Sequence, residues 1–321
     1  MSSEKADRAS LLEKAADRLD QAPPGQTDGQ PSAPSRPAAG VGLAGAVAAS
    51  ARRGATEAHT GTTVDIDIRG LKAQGYLTPG GERTRVAEEF RIIKRPLLEN
   101  AFGRAGGLVE NGNLVMVTSA VPGEGKTYTA INLAMSIAME MDKTVLLVDA
   151  DVGRARMHEI LKVPMGPGLI DLLTEDSLDV GAVMLHTNIP TLRLIPMGRF
   201  HPHATELLAS DNMRRLVMEL ATRYHDRVVI FDSPPLLATS EATVLAGLMG
   251  QIVFVVQSGR TLQGQVRDAL TLLDTSKPIG LVLNKAHKGI GSDYYGYGSY
   301  GYGRYGSHGA SKQAGSAASE Q

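Results

Sequence analysis

The chain contains no cysteine. Disulfides and thiolate metal sites are therefore excluded, and nothing argues for an oxidising compartment. Aromatic residues are scarce at 4%, and the formal net charge is only −1. That balance removes the excess positive charge that drives non-specific nucleic-acid binding. Long hydrophobic runs are missing too. The opening stretch, MSSEKADRASLLEKAADRLD, has mixed charge and lacks the apolar centre of a signal peptide. The longest weakly polar run, AAGVGLAGAVAAS at 38–50, is mostly Ala and Gly and too short to span a bilayer. These absences describe a soluble, cytoplasmic chain with no transmembrane segment of its own, attached to a membrane only through a partner.

What is present falls into four parts. Residues 1–20 hold a short helix, with Ser10 and Glu13 at capping-box spacing and Leu12, Ala16 and Leu19 on one face. It reads equally as a surface helix or as a docking helix for a partner. Residues 21–61 are a flexible linker of Pro, Ala, Gly and Ser. Residues 62–290 form the folded domain, and 291–321 a disordered Tyr-rich tail. Within the domain, VDIDI alternates like a short edge strand. A helix comes next, from Arg85 to Leu98, interrupted at Pro96.

Beyond residue 112 the chain alternates short apolar runs with helical stretches. NLVMVTSA, TVLLVDAD, TLRLIPMG, RVVIFDSP, QIVFVVQS and GLVLNK read as buried strands. Helices are expected at 126–140, 154–161, 204–223, 239–248 and 262–275. This is the pattern of an α/β fold: a mostly parallel, twisted sheet with helices on both faces.

The first of those strands runs into SAVPGEGKTYTAINLA, in which Ala120 to Thr127 read A-x-x-x-x-G-K-T. Strand before and helix after are the context that a phosphate-binding loop requires. Gly123 and Gly125 let backbone amides approach phosphate oxygens, with Glu124 between them. Lys126 is placed to reach the β- and γ-phosphates of ATP and Thr127 to bind Mg²⁺, and the expected ATP contacts run from Gly123 and Glu124 through to Tyr128 at the start of the helix. The second strand ends with Asp149 and Asp151 at the sheet edge where α/β proteins bind ligands. Two such neighbouring carboxylates need a cation or a proton between them. RVVIFDSPP ends on Asp232, the further metal-organising carboxylate of P-loop proteins. With Asp151 and Asp232 assigned to Mg²⁺, Asp149 is left as the candidate general base.

Six of the nine tyrosines lie in GIGSDYYGYGSYGYGRYGSHG: Tyr294, Tyr295, Tyr297, Tyr300, Tyr302 and Tyr305. Such Gly/Tyr/Ser tracts are sticky low-complexity segments or phospho-acceptor segments, and composition alone leaves both open.

Together these motifs resemble the bacterial tyrosine kinases, P-loop proteins unrelated to eukaryotic kinases. SAVPGEGKT resembles their Walker A segment, VLLVDAD their Walker A′, and VVIFDSPP their Walker B. GRFHPHATELLAS is similar to their P-x-x-E-L-L segment, and the tail to their autophosphorylation cluster. LKAQGYLTPGG with AEEFRIIKRPLLENAF is similar to the exosortase-associated autokinases of exopolysaccharide systems. The resemblance implies ATP and Mg²⁺ at Lys126 and Thr127, metal at Asp151 and Asp232, Asp149 as base toward tyrosine, and the tail tyrosines as acceptors. It also implies a homo-oligomeric ring, with an octamer as the candidate size, held by an E-x-x-R-x-x-R helix. Here Glu88, Arg91 and Lys94 take those places, and Lys lacks the bidentate fork of Arg. Gly153 stands where the family's D-A-D-x-R has Arg, with Arg154 next. A membrane-bound chain-length regulator, or polysaccharide co-polymerase, is the implied activator, placing the chain at the inner membrane through that partner. A phosphorylated tail would carry roughly ten negative charges and repel its neighbours, releasing a ring that the unmodified tail holds.

Two other functions fit parts of the sequence. A MinD/ParA-like positioning ATPase shares the fold and the carboxylates, but its loop carries a signature lysine where Val121 stands, with Pro122 next to it here. A nucleotide-binding adaptor of a polysaccharide assembly complex would need no intact Lys126, Asp149, Asp151 and Asp232.

Overall fold

The computed structural model describes residues 61–81, 84–103, 109–223 and 226–286. The expected helix at 10–20, the linker to residue 60, Tyr224 and all six tail tyrosines lie outside these residues. So does the 290/291 boundary.

The chain enters through β1 (Thr63–Val64), α1 (Ile68–Ala73) and α2 (Arg85–Phe102). It continues through β2 (Leu114–Ser119), α3 (Lys126–Ala138), β3 (Thr144–Asp149), α4 (Met157–Leu161), α5 (Leu169–Thr174) and α6 (Val180–Val183). Then come β4 (Leu185–Thr187), β5 (Leu192–Ile195), α7 (Ala204–Leu208), α8 (Asp211–Arg223) and β6 (Arg227–Asp232). The last elements are α9 (Ser240–Leu248), β7 (Gln251–Gln257), α10 (Gln263–Thr271) and β8 (Ile279–Asn284). The sheet has eight strands in the order β1-β4-β5-β3-β6-β2-β7-β8. Every pairing is parallel except β4 with β5.

Period-two alternation along the central strands divides the core between the two sheet faces. Leu114, Met116, Leu146, Val148, Val229 and Phe231 pack with α5, α6, α8 and α9 on one face. Val115, Val117, Val145, Leu147, Val228 and Ile230 pack with α1, α2 and α3 on the other. β2 is buried at all six positions, which is why it reads as a continuous apolar run.

All six expected strands are present, but GLVLNK, expected to be buried, is the edge strand β8 and exposes Leu281 and Leu283, because no further strand or helix covers it among the described residues. Four further local expectations need correction. VDIDI pairs only at Thr63–Val64; Asp67 instead caps α1, accepting from Gly70 N at 2.8 Å. α2 runs unbroken through Pro96, because Pro96 is exposed and Ile92, whose carbonyl it cannot serve, is 72% exposed and open to water. The stretch 204–223 is two helices. Ser210 breaks it, its Oγ accepting from Met213 N while donating to Leu207 O. The expected 154–161 helix is only Met157–Leu161.

Candidate active site

β2 delivers the chain into the loop 120–125 at the C-terminal edge of the sheet. The loop is shaped by two glycines in the left-handed region, Gly123 at φ 87° and Gly125 at φ 102°. A Cβ on Gly125 would stand 2.1 Å from the side-chain nitrogen of Asn284, so glycine is required there twice over. At Gly123 the same position is open space, as a loop that approaches a ligand closely needs. α3 starts directly at Lys126, and its N-terminus has no side-chain cap. A 13-residue helix whose first amides lack a side-chain acceptor is suited to an anion.

The carboxylates come from the neighbouring strands. β3 and β6 pair in register so that Asp149 and Asp232 are direct partners. Both share strand parity with the residues that pack toward α3, so both belong to the face of the phosphate loop helix. Asp151 lies two residues past Asp149, beyond the strand end. Its Oδ2 is 3.4 Å from Lys126 Nζ, and both side chains are buried. The Asp151 amide donates to Asp149 Oδ1 at 3.3 Å.

Burial pushes the Asp149 carboxyl well above the usual range, and the charges of Asp232 and Asp151 add to the effect. Burial likewise pushes Asp232 up to about 7; the Thr127 hydroxyl and Lys126 charge pull it down, and Asp151 raises it. One Asp232 oxygen, Oδ1, is buried with no hydrogen-bond partner. An orphaned carboxylate oxygen beside Thr127, Lys126 and a second carboxylate is the donor set a hard cation such as Mg²⁺ takes next to a phosphate. The residues present thus fit a magnesium–nucleotide.

Glu124 plays a part the sequence did not indicate. It is 1% exposed, and protein groups engage its carboxylate. Oε2 accepts from Val121 N at 2.8 Å, while Oε1 accepts from the Thr261 hydroxyl and, at 3.4 Å, from Gln257 N. It braces the loop from within and ties it to the turn after β7. From β8, Asn284 Nδ2 donates to Glu124 O at 2.8 Å and, just past the strand, Lys285 Nζ donates to Gly123 O at 2.7 Å. GLVLNK marked a strand here, but nothing in its pattern marked Asn284 and Lys285 as supports of the loop.

The Tyr128 hydroxyl donates to Gly75 O at 3.1 Å and its ring packs on Tyr76 and Phe90. Glu88 and Arg91 pair with each other on the exposed side of α2, at 2.6 Å for the longer contact. Lys94 does not join them. It is buried, donating to Ser136 O at 2.6 Å and pairing with Glu140. Arg154 is exposed, and its amide closes a turn onto Asp151 O at 3.0 Å.

Residues 113–277 match the family model described as an AAA domain. Tyrosine-protein kinase YwqD of Bacillus subtilis (strain 168) is 37% identical over 187 residues, 58% of this chain and 77% of that protein. Tyrosine-protein kinase CpsD of Streptococcus agalactiae is 31% identical over 195 residues, 60% of this chain and 83% of that protein. Other tyrosine-kinase relatives are longer, and the match covers only 24% to 33% of their length. Among solved structures, the kinase domain of Escherichia coli tyrosine kinase ETK superposes with a TM-score of 0.55 at 25% identity. That match covers 74% of this chain and 93% of that one.

Proposed function

Because this chain belongs to the bacterial tyrosine-protein kinases, carried on an AAA-type domain, we propose that it is an ATP-dependent tyrosine autokinase of an exopolysaccharide system. Its acceptors are the tail tyrosines Tyr294, Tyr295, Tyr297, Tyr300, Tyr302 and Tyr305 of a neighbouring subunit. The observation that carries the reading is the buried, unpartnered Asp232 oxygen facing a phosphate loop and a Lys126–Asp151 pair.

In this reading Gly123, Gly125 and the start of α3 cradle the phosphates, and Lys126 leaves Asp151 to accompany the γ-phosphoryl group. Thr127, Asp151 and Asp232 would hold Mg²⁺, which neutralises charge on the phosphates when bound. Asp149 accepts the proton of the incoming tyrosine hydroxyl. Its raised proton affinity suits a base that must take a proton from a phenol and later release it. A ring contact along α2 rests on Glu88 and Arg91, since Lys94 is committed within its own subunit. No helix among the described residues is long and apolar enough to cross a membrane. A separate membrane-bound chain-length regulator would supply attachment and activation.

The test is incubation of the purified chain with ATP and Mg²⁺, then mass spectrometry of residues 287–321, with Lys126→Met as control. Phosphate on the tail of the native chain only establishes the autokinase. Hydrolysis of ATP with a clean tail, with or without the regulator's cytoplasmic segment, supports the positioning ATPase instead.

A further inference from the structure

β8 is the last strand of the sheet, and its outer edge carries no partner strand among the described residues. An exposed edge presents a row of unpaired amides and carbonyls, and proteins usually guard one with charge, proline or a bulge. Ile279–Asn284, sequence IGLVLN, contains no charged residue and no proline. Instead it shows apolar surface: Leu281 is 61% and Leu283 63% exposed. Beside it lies a cavity of about 590 Å³ between β8 and α2, lined by Val86, Phe90, Ile93, Tyr128 and Val282 among others. Ile92 of α2, also exposed, extends this groove on the Val282 face of the sheet, opposite the face that Leu281 and Leu283 share with Ile279.

The chain beyond β8 indicates the occupant. Thirty-five residues, 287–321, continue from the C-terminal end of the strand region. They open with HKGIGSD, whose Gly, Ser and Asp are turn-forming, and go on to YYGYGSYGYGRY. In that stretch Tyr295 and Tyr297 alternate with Gly296 and Gly298, and Tyr300 and Tyr302 with Gly301 and Gly303. Each pair has the period-two alternation of a strand; the phase changes at Gly298-Ser299, so an extended chain turns Tyr295 and Tyr297 to one face and Tyr300 and Tyr302 to the other, and tyrosine buries a ring while keeping its hydroxyl wet. A chain turning back after β8 runs antiparallel to it, the usual way an added edge strand joins a parallel sheet.

We infer that the unphosphorylated tail adds to the open edge of its own subunit's β8 as an antiparallel strand, seating tyrosines of one parity against Leu281 and Leu283 and those of the other parity against the α2 groove on the opposite face. The docking stands on the edge and the tail pattern alone. Its regulatory meaning rests on the kinase reading above: a docked tail is a store of acceptors held away from the phosphate loop. Phosphorylation adds about −1.5 to −2 charges per tyrosine, which an apolar groove does not accept.

A chain without cysteine makes the test direct, because every disulfide is a designed one. Leu283→Cys is combined, in full-length Lys126→Met protein without nucleotide, with cysteine placed singly at each position from 294 to 302. After mild oxidation, crosslinked peptides are identified by mass spectrometry in the monomer band of a non-reducing gel. Docking predicts intramolecular crosslinks at alternate tail positions, several-fold above the positions between them. Repeating the scan with Leu281→Cys must move the favoured positions along the tail in the antiparallel sense. Uniform crosslinking along the tail, crosslinks confined to a dimer band, or none at all overturns the proposal. Because the scan uses the Lys126→Met background and no ATP, it is decided independently of whether the native chain phosphorylates itself.

Discussion

Asp149 and Asp232 face each other as direct partners at the ends of β3 and β6, both buried and both favouring the proton. Asp232, pushed up to about 7, binds a proton in the folded chain between its unfolded value of 3.8 and that point, where the unfolded chain has lost it. The folded state then holds more protons, so this group's contribution to stability falls as pH rises through that window. Asp232→Asn removes the buried charge. The metal-free variant is expected to melt several degrees above the native chain at pH 8 and to gain clearly less at pH 5, which lies low in that window. The same variant loses tail phosphorylation. Thermal melts at the two pH values, without Mg²⁺, check it; an equal shift at both would remove Asp232 as the cause.

Glu124 separates bracing from ligand contact. Glu124→Ala leaves Val121 N and the Thr261 hydroxyl without their acceptor, which costs on the order of 1–3 kcal/mol. The phosphate loop loosens, so the KM for ATP should rise several-fold, with kcat at saturating ATP less affected. Thr261→Val, which removes one donor only, should show the same direction at smaller size. A kcat loss at unchanged KM would place Glu124 in the chemistry instead.

Gly125→Ala meets both a positive φ and the Asn284 amide. Nucleotide binding should be lost while the circular dichroism of the sheet is retained, because the strain is confined to the loop. Binding of a fluorescent ATP analogue is the readout.

Lys94 and Arg91 should part company. Lys94→Ala strips a buried ammonium from Ser136 O and Glu140 and should lower the stability of the isolated subunit, read from urea unfolding, by about 1–3 kcal/mol. Arg91→Ala breaks an exposed pair, worth about 0–1 kcal/mol, and should leave the urea midpoint in place. If α2 holds a ring, only Arg91→Ala should shift the sedimentation profile without shifting stability.

The parallel core was legible because strands buried on both faces must be apolar throughout and end in turn signals; GLVLNK shared that look although β8 is an exposed edge. The site was legible for a related reason: Lys126, Thr127, Asp149 and Asp232 stand at strand or helix ends, where a local motif fixes position. What escaped depended on distance in sequence. β4 is a three-residue strand paired antiparallel with β5, too short for any period to show. The Pro96 expectation failed because a helix tolerates a missing amide where solvent can serve the carbonyl. Lys94 looked like a surface charge from its spacing, yet it reaches a carbonyl 42 residues away. Glu124 sat inside a nucleotide motif, and only the fold shows that protein amides and a hydroxyl use its carboxylate.

The strand order has a consequence for how tyrosines are delivered. β8 is two strands from β2, a separation of roughly 10 Å at the usual strand spacing. Seven residues separate Ala286 from Tyr294, and the eight Cα steps between them can reach roughly 26–29 Å when extended. If the autokinase reading holds, the proposed acceptors lie within contour-length reach of the chain's own phosphate loop, at an effective concentration on the millimolar scale. The proposed transfer to a neighbour would then have to be selected by the direction of approach, since distance alone favours the chain's own tail.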